Sequence, residues 1–252
     1  MRLTLCFLIG ACILASACKK DLSASGTPPT VTIEFSNVVN SAPFELNTTY
    51  TDFDNESYTV TAFKYYISNV SLISLSGAYQ QIHGIYHLVD ASDSASLNLS
   101  FSASADSIVA ISFMIGVDSA ANVSGSQTGD LSPSKGMYLS KSAGYIMAKL
   151  EGTSPALGTA GDVFQYDING FTGPYNVLRT VTLPLPSGPV SLQQIKSDTL
   201  VLSISANVNA WFFGPHALNI ASNPSCTTPG ALASEFADNY ASMFSLTNAA
   251  LK

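Results

Sequence analysis

The side chains able to do chemistry in this chain are few and mostly soft. Beyond the first eighteen residues they are His83, His87, His216, Cys226, Met114, Met137, Met147 and Met243. Imidazole, thiolate and thioether groups favour copper, above all the cuprous ion, whereas carboxylates suit harder cations. His83 and His87 are four apart, so on one strand they would share a face two pleats apart, a wide grip for a single ion. His83 stands beside Gly84 and reads as a turn histidine. His87, in YHLVD, reads either as a ligand or as a core histidine tied by hydrogen bonds. Met114 and Met147 sit in apolar runs and read as core fillers, and Cys226 in SNPSCTTPG reads first as a buried thiol.

A second candidate site is hard. Asp118, Asn122, Asp130 and Ser132 punctuate the loop DSAANVSGSQTGDLSP, and oxygen donors in such a loop suit calcium. Their spacing fits no EF-hand, so hydrogen-bonded Asx turns are the favoured reading. No GxSxG, HExxH, paired CxxC, phosphate-binding loop or dinucleotide motif occurs. The expectation is therefore a protein that is not an enzyme.

The elements around these residues follow from pattern. Arg2 precedes the apolar run LTLCFLIGACILA, and Ser16, Ala17 and Cys18 follow it. This is a signal of about residues 1–17, too short to span a bilayer, where ~20 apolar residues are needed. Leu14-Ala15-Ser16-Ala17-Cys18 resembles the lipobox of bacterial lipoproteins, with its leucine one position early. That makes Cys18 the acylated residue and predicts anchoring at the outer membrane of the cell envelope. Cys6 and Cys12 leave with the leader, so Cys226 is the one remaining thiol and no internal disulfide can form.

Residues 18–29 read as a lipidated cysteine and tether ending in Pro28-Pro29, and 30–252 as one domain. With Arg2 gone, nine basic residues face seventeen acidic ones, a net charge of minus eight. Such a surface excludes nucleic acid as a natural partner. Charged residues make up only 11% of the chain, the profile of an exported protein with a neutral polar surface.

Period-two alternation in TVTIEF, YTVTAFKYYISNVSLISL, GIYHLVD and LNLSF marks half-buried strands. IVAISFMIGVD is apolar nearly throughout, as a strand covered on both faces would be. YIMAKLEG, FQYDI, NVLRTVTLPL and TLVLSISANV add four more. Leu232, Phe236, Tyr240 and Phe244 recur every four residues after Thr228-Pro229 and predict a helix with a Thr cap. The fold class is all-β: a sandwich of roughly eight to ten mostly antiparallel strands with a short C-terminal helix.

In this order FKYYISNVSLISL, YHLVD, ISFMIGVDSAANVSGSQTGDLSPSKGMY, GYIMAKLEG, FQYDINGF and ADNYASMF resemble the MbnP-like, methanobactin-associated copper-binding family, over about Thr30 to Phe244. The resemblance implies an envelope β-sandwich. It also implies copper held by histidine together with kynurenine, an oxidised tryptophan made by a partner di-haem peroxidase of the MauG type.

His87 matches the family's histidine, and Asp90, Asp118, Gly136, Tyr138, Gly144 and Glu151 match its scaffold. The two tryptophan positions of the family are Leu139 and Lys141 here, so no kynurenine is expected at Leu139. A family histidine before Ile-Gly-Gly is Asp167. The one tryptophan, Trp211, lies elsewhere and reads as a packed aromatic beside Phe212 and Phe213.

Two readings follow. In one, His87 captures copper with help from Met137, Tyr138 and Asp167, and the side chains of His87, Tyr138 and Asp167 converge on one pocket. In the other, the sandwich has lost the copper chemistry and its surface serves a protein or glycan partner.

Overall fold

The computed structural model describes residues 28–104, 107–158, 161–192 and 199–252. The predicted leader, Cys18 and most of the tether lie outside the described residues. Ten principal strands form, the first nine where the sequence predicts them: β1 Thr30–Val39, β2 Ser57–Ser74, β3 Tyr86–Asp90, β4 Asn98–Ser102 and β5 Ser107–Ile115. They are followed by β6 Gly144–Thr153, β7 Val163–Asn169, β8 Arg179–Pro184, β9 Thr199–Asn207 and β10 Phe244–Leu251. Two helices interrupt them, α1 Ser119–Val123 and α2 Ala231–Ala241.

Among the described residues these strands build two sheets. The smaller runs β10-β9-β1, with β4 and a two-residue strand on the far edge of β1. The larger runs β8-β5-β2-β6-β7. The long β2 organises it, with β6 and then β5 along one edge and β3 on the other. Most pairs are antiparallel as expected. The exception among the principal strands is β1 with β9, a parallel pair across nine positions that no local pattern announces.

The two inner faces interdigitate through aromatic rings. Tyr65 of β2 packs on Phe35 of β1 and Phe244 of β10 at 6.2 and 5.5 Å, and Phe113 of β5 meets Phe244 at 5.2 Å. Edge-to-face rings at these separations add to the area they bury. As predicted, β5 is central and covered on both sides along most of its length.

The C-terminal helix differs from its prediction at both ends. Thr228 does not cap it; Gly230, in extended backbone, is the N-cap and supplies no side-chain bond. At the other end Phe244 is not a fourth helical contact. It opens β10, because pairing with Ala206 of β9 begins there and overrides the four-residue spacing.

Two glycines of GYIMAKLEG are explained by space. Gly144 has a positive φ of 75°, and a Cβ there would stand 2.1 Å from Asn122 Oδ1. Gly152 lies against β2, where a Cβ would come within 2.1 Å of the Thr59 carbonyl oxygen.

Candidate functional site

The expected site residues fall into separate surroundings. β3 presents His87 toward the inner layer, where its ring stacks on Phe35 at 6.3 Å. Its Nε2 lies 2.7 Å from the Ser96 carbonyl oxygen, which can only accept, so Nε2 carries a proton and donates. Its Nδ1 lies 3.4 Å from Asp130 Oδ2. Both ring nitrogens therefore face oxygen acceptors of the fold.

Asp130 is the partner that sequence reasoning assigned to an Asx turn instead. Its Oδ2 also accepts the Leu88 N–H at 2.9 Å, and its backbone carbonyl accepts the Tyr66 hydroxyl at 2.8 Å. The hydrogen bond from His87 is the main cause holding its carboxyl below the usual carboxylate range. Partial burial opposes that shift, and Leu88 and Lys135 reinforce it.

These contacts fasten the loop of residues 116–137 onto the sheet. Tyr86 donates its hydroxyl to Asp118 Oδ2 at 2.6 Å; burial and that carboxylate push its pKa up to about 12. Tyr145 donates to the carbonyls of Gly125 and Leu131. Asn122, fully buried, donates to Val117 and Asp118 carbonyls and accepts the Tyr145 N–H.

The oxygen ligands proposed for calcium are thus spent locally. Asp118 caps α1 through Ala121 N–H, and Ser132 Oγ accepts from Ser134. Among the described residues no three His, Cys, Asp or Glu side chains stand close enough to hold a metal ion.

Asp167 lies elsewhere, and the predicted convergence is not found. Register places Asp90 of β3 beside Lys64 of β2, Lys64 beside Lys149 of β6, and Lys149 beside Asp167 of β7. Side chains alternate faces along a strand, so His87, three residues from Asp90, points to the opposite side from this row. Three strand spacings also separate β3 from β7, about 14 Å.

The row itself is a ladder of charges. Asp90 pairs with Lys64 at 2.8 Å, and Lys149 pairs with both Asp167 and Glu151. Gln165 donates to Asp167 Oδ2 at 2.6 Å. Only 7% of Asp167 is exposed, and Lys149 is its counter-charge.

Met137 is fully buried ahead of the short strand Tyr138–Ser140, and Tyr138 packs its ring on Tyr145 at 5.0 Å. Leu139 is 44% exposed on the same hairpin. Trp211 is buried among Tyr166, Phe236, Tyr240 and Phe63. Cys226 is buried, and that burial pushes its thiol up to about 11. His83 is exposed in a turn, and His216 contacts Asp238 at 3.2 Å.

As placed, these residues do not fit a copper ion. A metal-bound histidine does commonly donate its second nitrogen to a carbonyl, as Nε2 does to Ser96. Nδ1, however, points at a carboxylate already engaged by a backbone N–H. The adjoining pocket, about 320 Å³, is lined by carboxylates and by Lys135, without a second soft donor.

The family model described as MbnP matches residues 28–228 of this chain. Among solved structures the chain is similar to MbnP from Methylosinus trichosporium, at 12% identity and a TM-score of 0.55, covering 81% of this chain and 86% of that one. At that identity the likeness is one of fold. No curated protein matches.

Proposed function

The chain belongs to the MbnP family, and from that premise we propose that it is a lipoprotein of the cell envelope that kept the family scaffold and uses it for recognition, without the copper chemistry. The observation that carries this reading is the state of His87. The residue matching the family's histidine spends one ring nitrogen on the Ser96 carbonyl and turns the other to Asp130. It acts as a fastener between β3 and the loop of residues 116–137.

Three further features support it. Leu139, at a family tryptophan position, has no side chain that oxidation could turn into a ligand, so a MauG-type peroxidase would find nothing to modify there. Asp167, at a family histidine position, is held by Lys149. The sequence carries no catalytic motif, and its net negative charge disfavours nucleic acid. Anchoring through acylated Cys18 at the outer membrane completes the proposal.

A second reading, capture of copper at His87 with Asp130 moved aside, draws on the orientation of Nε2 toward a carbonyl. Competition for cuprous ion between the protein and a chelator separates the two. The scaffold reading predicts no tight binding, and tight binding abolished by His87→Ala would replace it with the copper reading.

A further inference from the structure

The predicted tether meets the domain at one end of the sandwich, and a tight turn lies beside that point. The Pro29 carbonyl accepts the Ala103 N–H at 3.0 Å, and Thr30 of β1 is in register with Ser102 of β4. Ser104 and Ser107, just beyond Ala103, bond to the turn that follows β2. Gln80 donates its amide N–H to Ser104 Oγ at 2.8 Å, and the Leu75 N–H donates to the Ser107 carbonyl at 3.2 Å. From β2 the chain passes through Leu75-Ser76-Gly77-Ala78 into the short strand Tyr79–Gln81, which pairs back on β2.

This turn is apolar at its surface and free of charge. Leu75 and Tyr79 are 67% and 66% exposed, and the open groove beside them, about 790 Å³, is bordered among the described residues by uncharged side chains. No Asp, Glu, Lys or Arg occurs in residues 65–89, 94–104 or 107–117. Leu251, 50% exposed, shares this end, because Lys252 bonds to Thr199, the residue in register with Thr30. Single exposed leucines are ordinary on a protein surface. Here two large side chains share one charge-free turn next to the point where the tether enters.

What covers this patch follows from the tether. Between Cys18 and Thr30, residues 19–29 reach at most ~40 Å when extended and about 17–20 Å as a flexible coil. An acyl chain on Cys18 would therefore hold this end of the domain close to the bilayer surface. There a weak contact is strengthened, because it forms within one tethered molecule. A tyrosine ring settles at headgroup level, and a leucine reaches the acyl boundary beneath it. The chain is acidic overall, yet this turn brings no carboxylate to an anionic lipid surface.

We propose that the turn of residues 74–80 docks on the lipid bilayer that holds the tether, with Leu75 and Tyr79 entering the interface. The inference rests on acylation of Cys18 and adds to that reading the face that the domain turns to the membrane. The opposite end, where Phe53 lies against Phe213 at 4.8 Å ahead of β2, then faces away from the bilayer.

The test uses the full chain purified from membranes, with the mass at Cys18 measured, and reconstituted into phosphatidylcholine vesicles whose acyl chains carry bromine. Tyr79→Trp should lose emission to the bromine. The wild type, with only the buried Trp211, and Phe213→Trp at the opposite end should not. Adding Leu75→Ser to Tyr79→Trp should reduce the loss. Acylated Cys18 with no quenching at position 79, or with equal quenching at 79 and 213, would overturn the docking and leave the anchor standing. A blue shift at position 79 without quenching would give the patch to a second copy of the chain and overturn the docking too. Cys18 without an acyl chain would overturn the anchor and the docking with it.

Discussion

His87 Nδ1 lies 3.4 Å from Asp130 Oδ2, and the same carboxylate oxygen accepts the N–H of Leu88, the residue next to His87. One aspartate thus grips two successive residues of β3 from a loop that begins at the end of β5, on the opposite edge of β2. The histidine that a copper site would need is the one that fastens this loop.

Replacing Asp130 should therefore loosen the loop. Asp130→Ala leaves the Leu88 N–H unpaired and should cost about 1–2 kcal/mol, held to the low end of hydrogen-bond losses because the carboxyl is partly exposed. Urea midpoints measure this. Because the folded pKa of Asp130 is depressed, its contribution is present above the unfolded value of ~3.9 and is lost as pH falls through the folded value. Asp130→Asn should accordingly flatten the drop in melting temperature below about pH 4. A slope equal to the wild type would show that the carboxylate is not engaged.

The charge ladder gives a second expectation. Lys149→Met strands Asp167 and Glu151 on a nearly enclosed part of the sheet and should cost about 3–5 kcal/mol, the range for breaking a buried pair. Adding Asp167→Leu should recover most of that loss. Equal stability for the single and double variants would remove Asp167 from the network.

Trp211 should report a packed interior. Its emission should be blue-shifted and resistant to iodide, and Trp211→Ala should cost about 3–5 kcal/mol through the cavity left among Tyr166, Phe236 and Tyr240. Ready quenching by iodide would contradict its burial.

Cys226 should be unreactive. Its thiol, raised to about 11 by burial, offers little thiolate at neutral pH, so the native chain from Lys19 onward should react with a disulfide reagent only on unfolding. Rapid labelling of the native chain would place the thiol at the surface.

Most of the strand framework was legible because each strand carries its own alternation, as in TVTIEF and YTVTAF. The final strand was not. FSLTNAAL is largely small and polar, and only pairing with β9 makes it a strand. The parallel junction of β1 with β9 was equally hidden, since it joins segments at opposite ends of the chain.

At the site, the role of Asp167 was obscured by the family's histidine at that position. What fixes it is cross-strand register with Lys149. From the sequence Asp130 reads only as part of a hydrogen-bonded Asx-turn loop, because its partner is a non-local histidine and no spacing rule links the two.

The most direct measurement is cuprous-ion binding by the chain from Lys19 to Lys252, competed against a chelator, beside His87→Ala. Neither form should retain copper, and the variant should differ from wild type only in stability. Tight binding by the wild type that disappears in His87→Ala would contradict the scaffold reading and return the protein to copper capture.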